Sequence, residues 1–299
     1  MIAAEHIIMI ITSITIGTIA RVVTVKEDFR QYPSYPNGYL TNLVTGFTAS
    51  ALGAVAIPAL MTKNFIAVTF LTLAIQQFRD VRKAERESLK DLEHSEYARR
   101  GNAYIDGIAK TFEARNYFAL IVSFSCALTM QIIDSSCAAV NITAGLVAGM
   151  IVLYFLKRFS KGKTIGDIAQ VKAGRIELRD SGLYVDGQFV TNLLGDESAS
   201  ALFEKEGIAA VICPNEERFR ITLDHLGQQQ AALFEATRSL GLKRYHFTRK
   251  NFDTGAVILT FVPISHDPDR LIEAVKKTPL LESTKKNKDV LRTNIAGRE

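Results

Sequence analysis

The feature that most constrains this chain is the confinement of its long apolar runs to the first 156 residues. Ile7–Val25 is long enough to cross the hydrocarbon core of a bilayer as a helix. Leu40–Leu60, Tyr117–Ile133 and Cys137–Leu156 are further runs of that kind. Phe65–Phe78 is shorter, and its length fits either a re-entrant segment or a crossing. After residue 156 the pattern changes to short β-like and helical stretches. The expected class is therefore a multi-span α-helical membrane domain followed by a cytoplasmic α+β domain, with the lipid bilayer as its first partner. A ferredoxin-like sheet is the expected form of the second domain.

Charge decides how many runs cross. If all five do, Arg21, Lys26 and Arg30 fall on the same side as nine Lys and Arg between residues 79 and 115. The opposite connections then carry only Lys63. The excess of basic residues on cytoplasmic loops gives five spans, the N-terminus outside and the C-terminal domain inside. The expected domains are 1–160, five spans with a cytoplasmic helical loop at 79–116; 161–281, the α+β domain; and 282–299, a disordered basic tail. Within the second, Arg175–Arg179, Leu183–Val185 and Gln188–Asn192 read as a meander turning at Asp186-Gly187. Phe219–Leu223 reads as a strand, with Asp224 capping a helix His225–Leu240. Asp267-Pro268 opens a last helix.

Residues 157–299 hold 23 Lys and Arg against 19 Asp and Glu, an excess too small and too scattered for a nucleic-acid surface. Three cysteines and five histidines share no ligand spacing, so neither a metal nor another cofactor is expected. Ser160-Lys-Gly-Lys-Thr164 lacks the upstream glycine and strand of a phosphate loop and reads as the basic stop of a span. Small residues four apart, Gly46/Ser50/Ala54 and Gly145/Gly149, offer close helix packing within the chain or between copies. Asp134 is the carboxylate nearest to an apolar hairpin, and no second one lies within a run.

Two polar stretches remain. Arg30-Gln-Tyr-Pro-Ser-Tyr-Pro-Asn-Gly38 is a rigid, turn-rich loop, and Tyr104-Ile-Asp-Gly-Ile-Ala109 opens an amphipathic helix leading to the fourth run. The second stretch, a hexapeptide, resembles the signature of the YIEGIA family, membrane proteins of endospore-forming Firmicutes, with Asp106 where the family name has Glu. Arg30–Tyr39, Ala51–Ala59, Gln76–Arg79 and Gly162–Ala169 carry the same resemblance. It implies an integral protein of the bacterial inner membrane that serves sporulation or spore-envelope assembly in a spore-forming bacterium, with partners in the sporulation machinery, and supplies no catalytic residues.

With the same sidedness, the two stretches form one candidate partner-binding face: Arg30, Tyr32, Pro33, Tyr35, Pro36 and Gly38 with Tyr104, Ile105, Asp106, Gly107, Glu113 and Arg115. The plainer reading is an internal docking contact. The expected function is a scaffold or regulator acting through the cytoplasmic face. The alternatives are a membrane-embedded hydrolase or protease working through Asp106, Glu113 or Asp134, and, behind both, a transporter.

Overall fold

The computed structural model describes residues 4–28, 36–179, 182–192, 194 and 197–287. The chain divides into two compact units, one of residues 1–88 and 108–161 and the other of residues 89–107 and 162–299.

The first unit is helical. It contains α1 (Ala4–Asp28), α2 (Pro36–Met61), α3 (Phe65–Leu92, up to residue 88), α4 (Asn102–Ile133, from Ile108 on) and α5 (Ala138–Ser160). Among the described residues four helical segments are long and apolar enough to cross a membrane: His6–Thr24, Leu40–Met61, Asn102–Ile133 and Ala138–Ser160. α3 falls outside this set because its second half is charged, although it is one unbroken helix of 28 residues. Its first half leaves Phe65, Ile66, Phe70 and Leu73 exposed.

The predicted small-residue faces are occupied within the chain. Ser50 and Ala54 are buried and a Cβ on Gly46 would strike Arg21, while elsewhere in the bundle a Cβ on Gly17 would stand 2.8 Å from the carbonyl of Ala119 and one on Gly53 would strike the carbonyl of Leu120. Gly145 lies against Met130 and Cys126, and Gly149 against Ile16. Glycine here lets backbones meet where dispersion drives helix association. Asp134, with φ +37°, is an exposed turn residue between α4 and α5.

The second unit holds a four-stranded antiparallel sheet in the order β1 (Ala169–Ala173), β5 (Ile208–Pro214), β7 (Val257–Pro263), β6 (Leu242–Lys250). A three-stranded meander, β2 (Ile176–Arg179), β3 (Gly182–Val185) and β4 (Gln188–Thr191), forms a second sheet as the sequence predicts. Asp186 and Gly187, at φ +50° and +75°, make its tight turn. The helices are α6 (Glu197–Glu206), α7 (Glu217–Asp224), α8 (Leu226–Leu240), α9 (Pro268–Lys277) and α10 (Glu282–Asn287).

The main sheet is covered on both faces. Along β7, Val257, Leu259 and Phe261 enter a core with α7, α8 and α9, while Ile258 and Val262 enter a second core with α6 and the meander. β5 divides its side chains in the same way, which is why these strands are apolar runs rather than alternating ones.

Three expectations need correction. The outer strand beside β5 is β1, the first strand of the unit, so the connection order is not the βαββαβ of a ferredoxin-like fold. Phe219–Leu223 is helical: Phe219, Thr222 and Leu223 are buried at i, i+3 and i+4, and Asp224 pairs with Lys250 instead of capping α8. Glu282–Asn287, placed in a disordered tail, forms α10; the rest of that tail lies outside the described residues.

Candidate functional site

The residues singled out in the sequence fall into two clusters, one in each unit. The loop residues Arg30, Tyr32, Pro33 and Tyr35 lie outside the described residues, and Pro36 and Gly38 stand in the first turn of α2.

The cluster in the helical unit is a polar layer at one end of the bundle. Arg21 is fully buried although it sits in an apolar helix. Its Nη2 donates to Asn42 Oδ1 at 2.5 Å, and its guanidinium lies 4.8 Å from the centre of the Phe112 ring. Gly46 makes this possible: an added Cβ would fall 2.7 Å from Arg21 Cβ and closer still to Cγ. The stem of Arg21 therefore lies directly over the α2 backbone. One turn beyond Phe112, Arg115 and Asn116 are also buried. Arg82 of α3 donates to Glu113 at 3.2 Å, and the same carboxylate accepts from Tyr117 Oη at 3.4 Å. Phe78 packs edge-on against Tyr117, with ring centres 5.4 Å apart. Burying a charge is costly unless it is partnered, and the Asn42 amide and the Phe112 ring supply part of that compensation. Glu113 and Arg115 were legible as candidates in the sequence. Arg21 enters the sequence reading only as one of the basic residues that set sidedness, and Asn42, Arg82 and Asn116 are not among its candidates. The available signal was a charge inside an apolar run opposite a glycine-bearing helix.

The other cluster, in the globular unit, surrounds the head of α4. After α3 ends at Leu92 a 3₁₀ turn, Glu93–Ser95, leads to Arg100 and Gly101. The Glu93 carboxylate accepts from the backbone N–H groups of Arg100 (2.9 Å) and Gly101 (3.1 Å). Arg100 is buried, ion-paired to Glu96 at 3.0 Å, with its guanidinium 4.5 Å from the centre of the Phe234 ring on α8. Gly101 has φ +83° and Gln230 pressed against its Cα, a position that only glycine fits. Its carbonyl accepts the N–H groups of Tyr104 and Ile105, which starts the helix.

Tyr104 is buried against Phe234 and donates its hydroxyl to Glu235 Oε1 at 2.5 Å. These first residues of α4 fold with the globular unit, outside the apolar part of the helix. Ile105 is buried too, while Asp106 and Gly107 are half-exposed. A Cβ on Gly107 would meet nothing within 4 Å, so open space lies on that side of the signature.

Comparison with known proteins places both clusters in a family. The chain matches the YIEGIA protein family over residues 9–290, which takes in the signature, the bundle and the sheet. The chain belongs to the YIEGIA family. It is also 32% identical over 287 residues to the uncharacterized protein YphB of Bacillus subtilis (strain 168), covering 94% of each chain. No solved structure matches it. Among the described residues no group of three His, Cys, Asp or Glu side chains is arranged to hold a metal ion.

Proposed function

We propose that this YIEGIA-family chain is a five-span inner-membrane protein that acts as a scaffold or regulator during spore formation through its cytoplasmic face. The observation that carries this reading is α4 itself. It is one continuous helix whose first turn is fastened by Tyr104–Glu235 and by the Arg100-bearing turn before it, and whose remainder is an apolar bundle helix. A signature held firmly within the globular unit suits a surface that a partner protein recognises. The spore-forming context rests on the resemblance of the signature.

The crossing of α3 is supported by helix register inside the bundle. Phe78 shares a buried cluster with Ala49 and Ala119 and packs edge-on against Tyr117, while Arg82 meets Glu113. α3 therefore runs antiparallel to α4, and its apolar half, 65–78, lies beside the apolar 117–133 of α4. At about 1.5 Å per residue these stretches are roughly 21 and 26 Å long. The short run thus matches the depth of its neighbour. The polar layer of Arg21, Asn42, Arg82 and Glu113 would then lie at the cytoplasmic interface, where arginines are enriched.

The candidate partner-binding stretches on this reading are residues 30–38 of the first unit and, taken by itself, the signature of the second unit at Asp106 and Gly107. Photo-crosslinkers at positions 32, 35 and 106 in sporulating cells are expected to capture other proteins. Links formed only within the chain would refute a recruiting role.

A further inference from the structure

The most distinctive surface in the globular unit is the open edge of its main sheet. β6 ends the strand order, and over nine residues it carries Lys243, Arg244, Arg249 and Lys250 with no acidic residue. Lys243 is paired to Glu206 and Lys250 to Asp224, both at 2.5 Å. Among the described residues no carboxylate pairs with Arg244, which is exposed, or with Arg249.

The first half of this strand is irregular. Leu242, Arg244 and His246 pair with three consecutive residues of β7, so Lys243 and Tyr245 are extra residues in two successive bulges. Tyr245 has φ +46°, a strained conformation for a bulky side chain. Such an edge cannot continue the ladder into another strand, because its backbone groups lack the regular spacing. What it presents instead is side chains. Together with Tyr97, which is 86% exposed, residues 242–247 line a groove of about 520 Å³. Its walls combine exposed aromatic rings with unneutralised positive charge, and strain of this kind collects where side chains are aimed at a ligand.

We infer that this groove binds an acidic, extended peptide segment of a partner protein. Charge complementarity selects an acidic occupant. The groove's open form along a single strand suits a polypeptide, whereas small molecules are held in enclosing pockets. The chain's own C-terminal residues are a poor match, since positions 285, 286, 288, 292 and 298 are all Lys or Arg. None of the lining residues belongs to the loop-and-signature face proposed above, so the two surfaces stand or fall separately.

The test uses the full chain in lipid nanodiscs and three pools of twelve-residue peptides, biased acidic, neutral or basic. The acidic pool should be enriched. Selected peptides should bind at least tenfold more weakly to Arg244→Glu and to Tyr97→Ala, both exposed positions whose melting behaviour should match the parent. Equal enrichment of the three pools, or affinities unchanged within twofold in the variants, would overturn the proposal. So would a single-stranded oligonucleotide that binds the groove when no acidic peptide does.

Discussion

Exchanging Gly46 and Arg21 for alanine, separately and together, tests the polar layer where its packing is tightest. A Cβ at Gly46 would stand 2.7 Å from Arg21 Cβ and nearer to Cγ, while carbon atoms prefer about 3.5–4.0 Å. The two helices must therefore yield by about 1 Å, and overpacking of that size costs about 1–3 kcal/mol. Arg21→Ala alone removes the bond to Asn42 and the contact with Phe112. A hydrogen bond to a charged group contributes about 1.5–3 kcal/mol and a desolvated cation–π contact about 2. The relief of burying one charge offsets part of this, leaving a loss of about 2–4 kcal/mol.

In the double variant the closest clash, with Cγ, is gone, while the Cβ contact remains. Its destabilisation should fall short of the sum of the singles by about 1 kcal/mol, a coupling larger than the scatter of independent sites. The chain has no tryptophan, so the readout is circular dichroism during denaturant titration in mixed micelles. Additivity within about 0.5 kcal/mol would show that Arg21 does not lie over Gly46.

Three further outcomes follow from the globular unit. Tyr104→Phe removes the donor to Glu235 and should lower the stability of this unit by about 1–2 kcal/mol, read by hydrogen exchange at α8. Gly241→Ala should cost about 1 kcal/mol or more. The residue ends α8 at φ +73°, and its Cβ would fall 2.8 Å from Ile264, so a lowered melting midpoint is expected. Glu206 titrates below its ordinary value of 4.5, chiefly because Lys243 hydrogen-bonds its carboxylate. A carboxyl lowered by folding adds stability that is complete above its unfolded pKa and lost as pH falls through the folded one. Lys243→Ala should therefore return Glu206 to its ordinary titration, as followed by carbon-13 NMR.

The sequence was most informative where local chemistry decides structure alone. Asp267 accepts from the Arg270 N–H ahead of Pro268, and Asp186-Gly187 turns the meander, because caps and tight turns depend on a few adjacent residues. Gly241 closes α8 for the same reason. Phe219–Leu223 misled because an isolated five-residue run with a β-branched pair suits either period, and only burial at i, i+3 and i+4 settles it. The order of the main sheet was not legible, since pairing β1 with β5 depends on contacts across the whole unit. At the candidate site Tyr104 and Ile105 stood out by their motif, yet the partners of Tyr104, Phe234 and Glu235, lie about 130 residues away on another helix. Arg21 was ambiguous because a charge near the end of an apolar run can snorkel as readily as it can be buried.

The arrangement of the chain in the membrane can be measured with its own cysteines. Cys137 is exposed at the α4–α5 turn, Cys126 is buried in the bundle, and Cys213 lies in the globular unit. With Cys126 replaced by alanine, a membrane-impermeant maleimide applied to intact cells should label Cys137 and leave Cys213 unmodified until the membrane is opened. A cysteine at position 63 should label with Cys137, and one at position 37 with Cys213, if α3 crosses. Labelling of Cys213 in intact cells, or of position 37 together with Cys137, would contradict the five-span arrangement and remove the cytoplasmic face on which the proposed function depends.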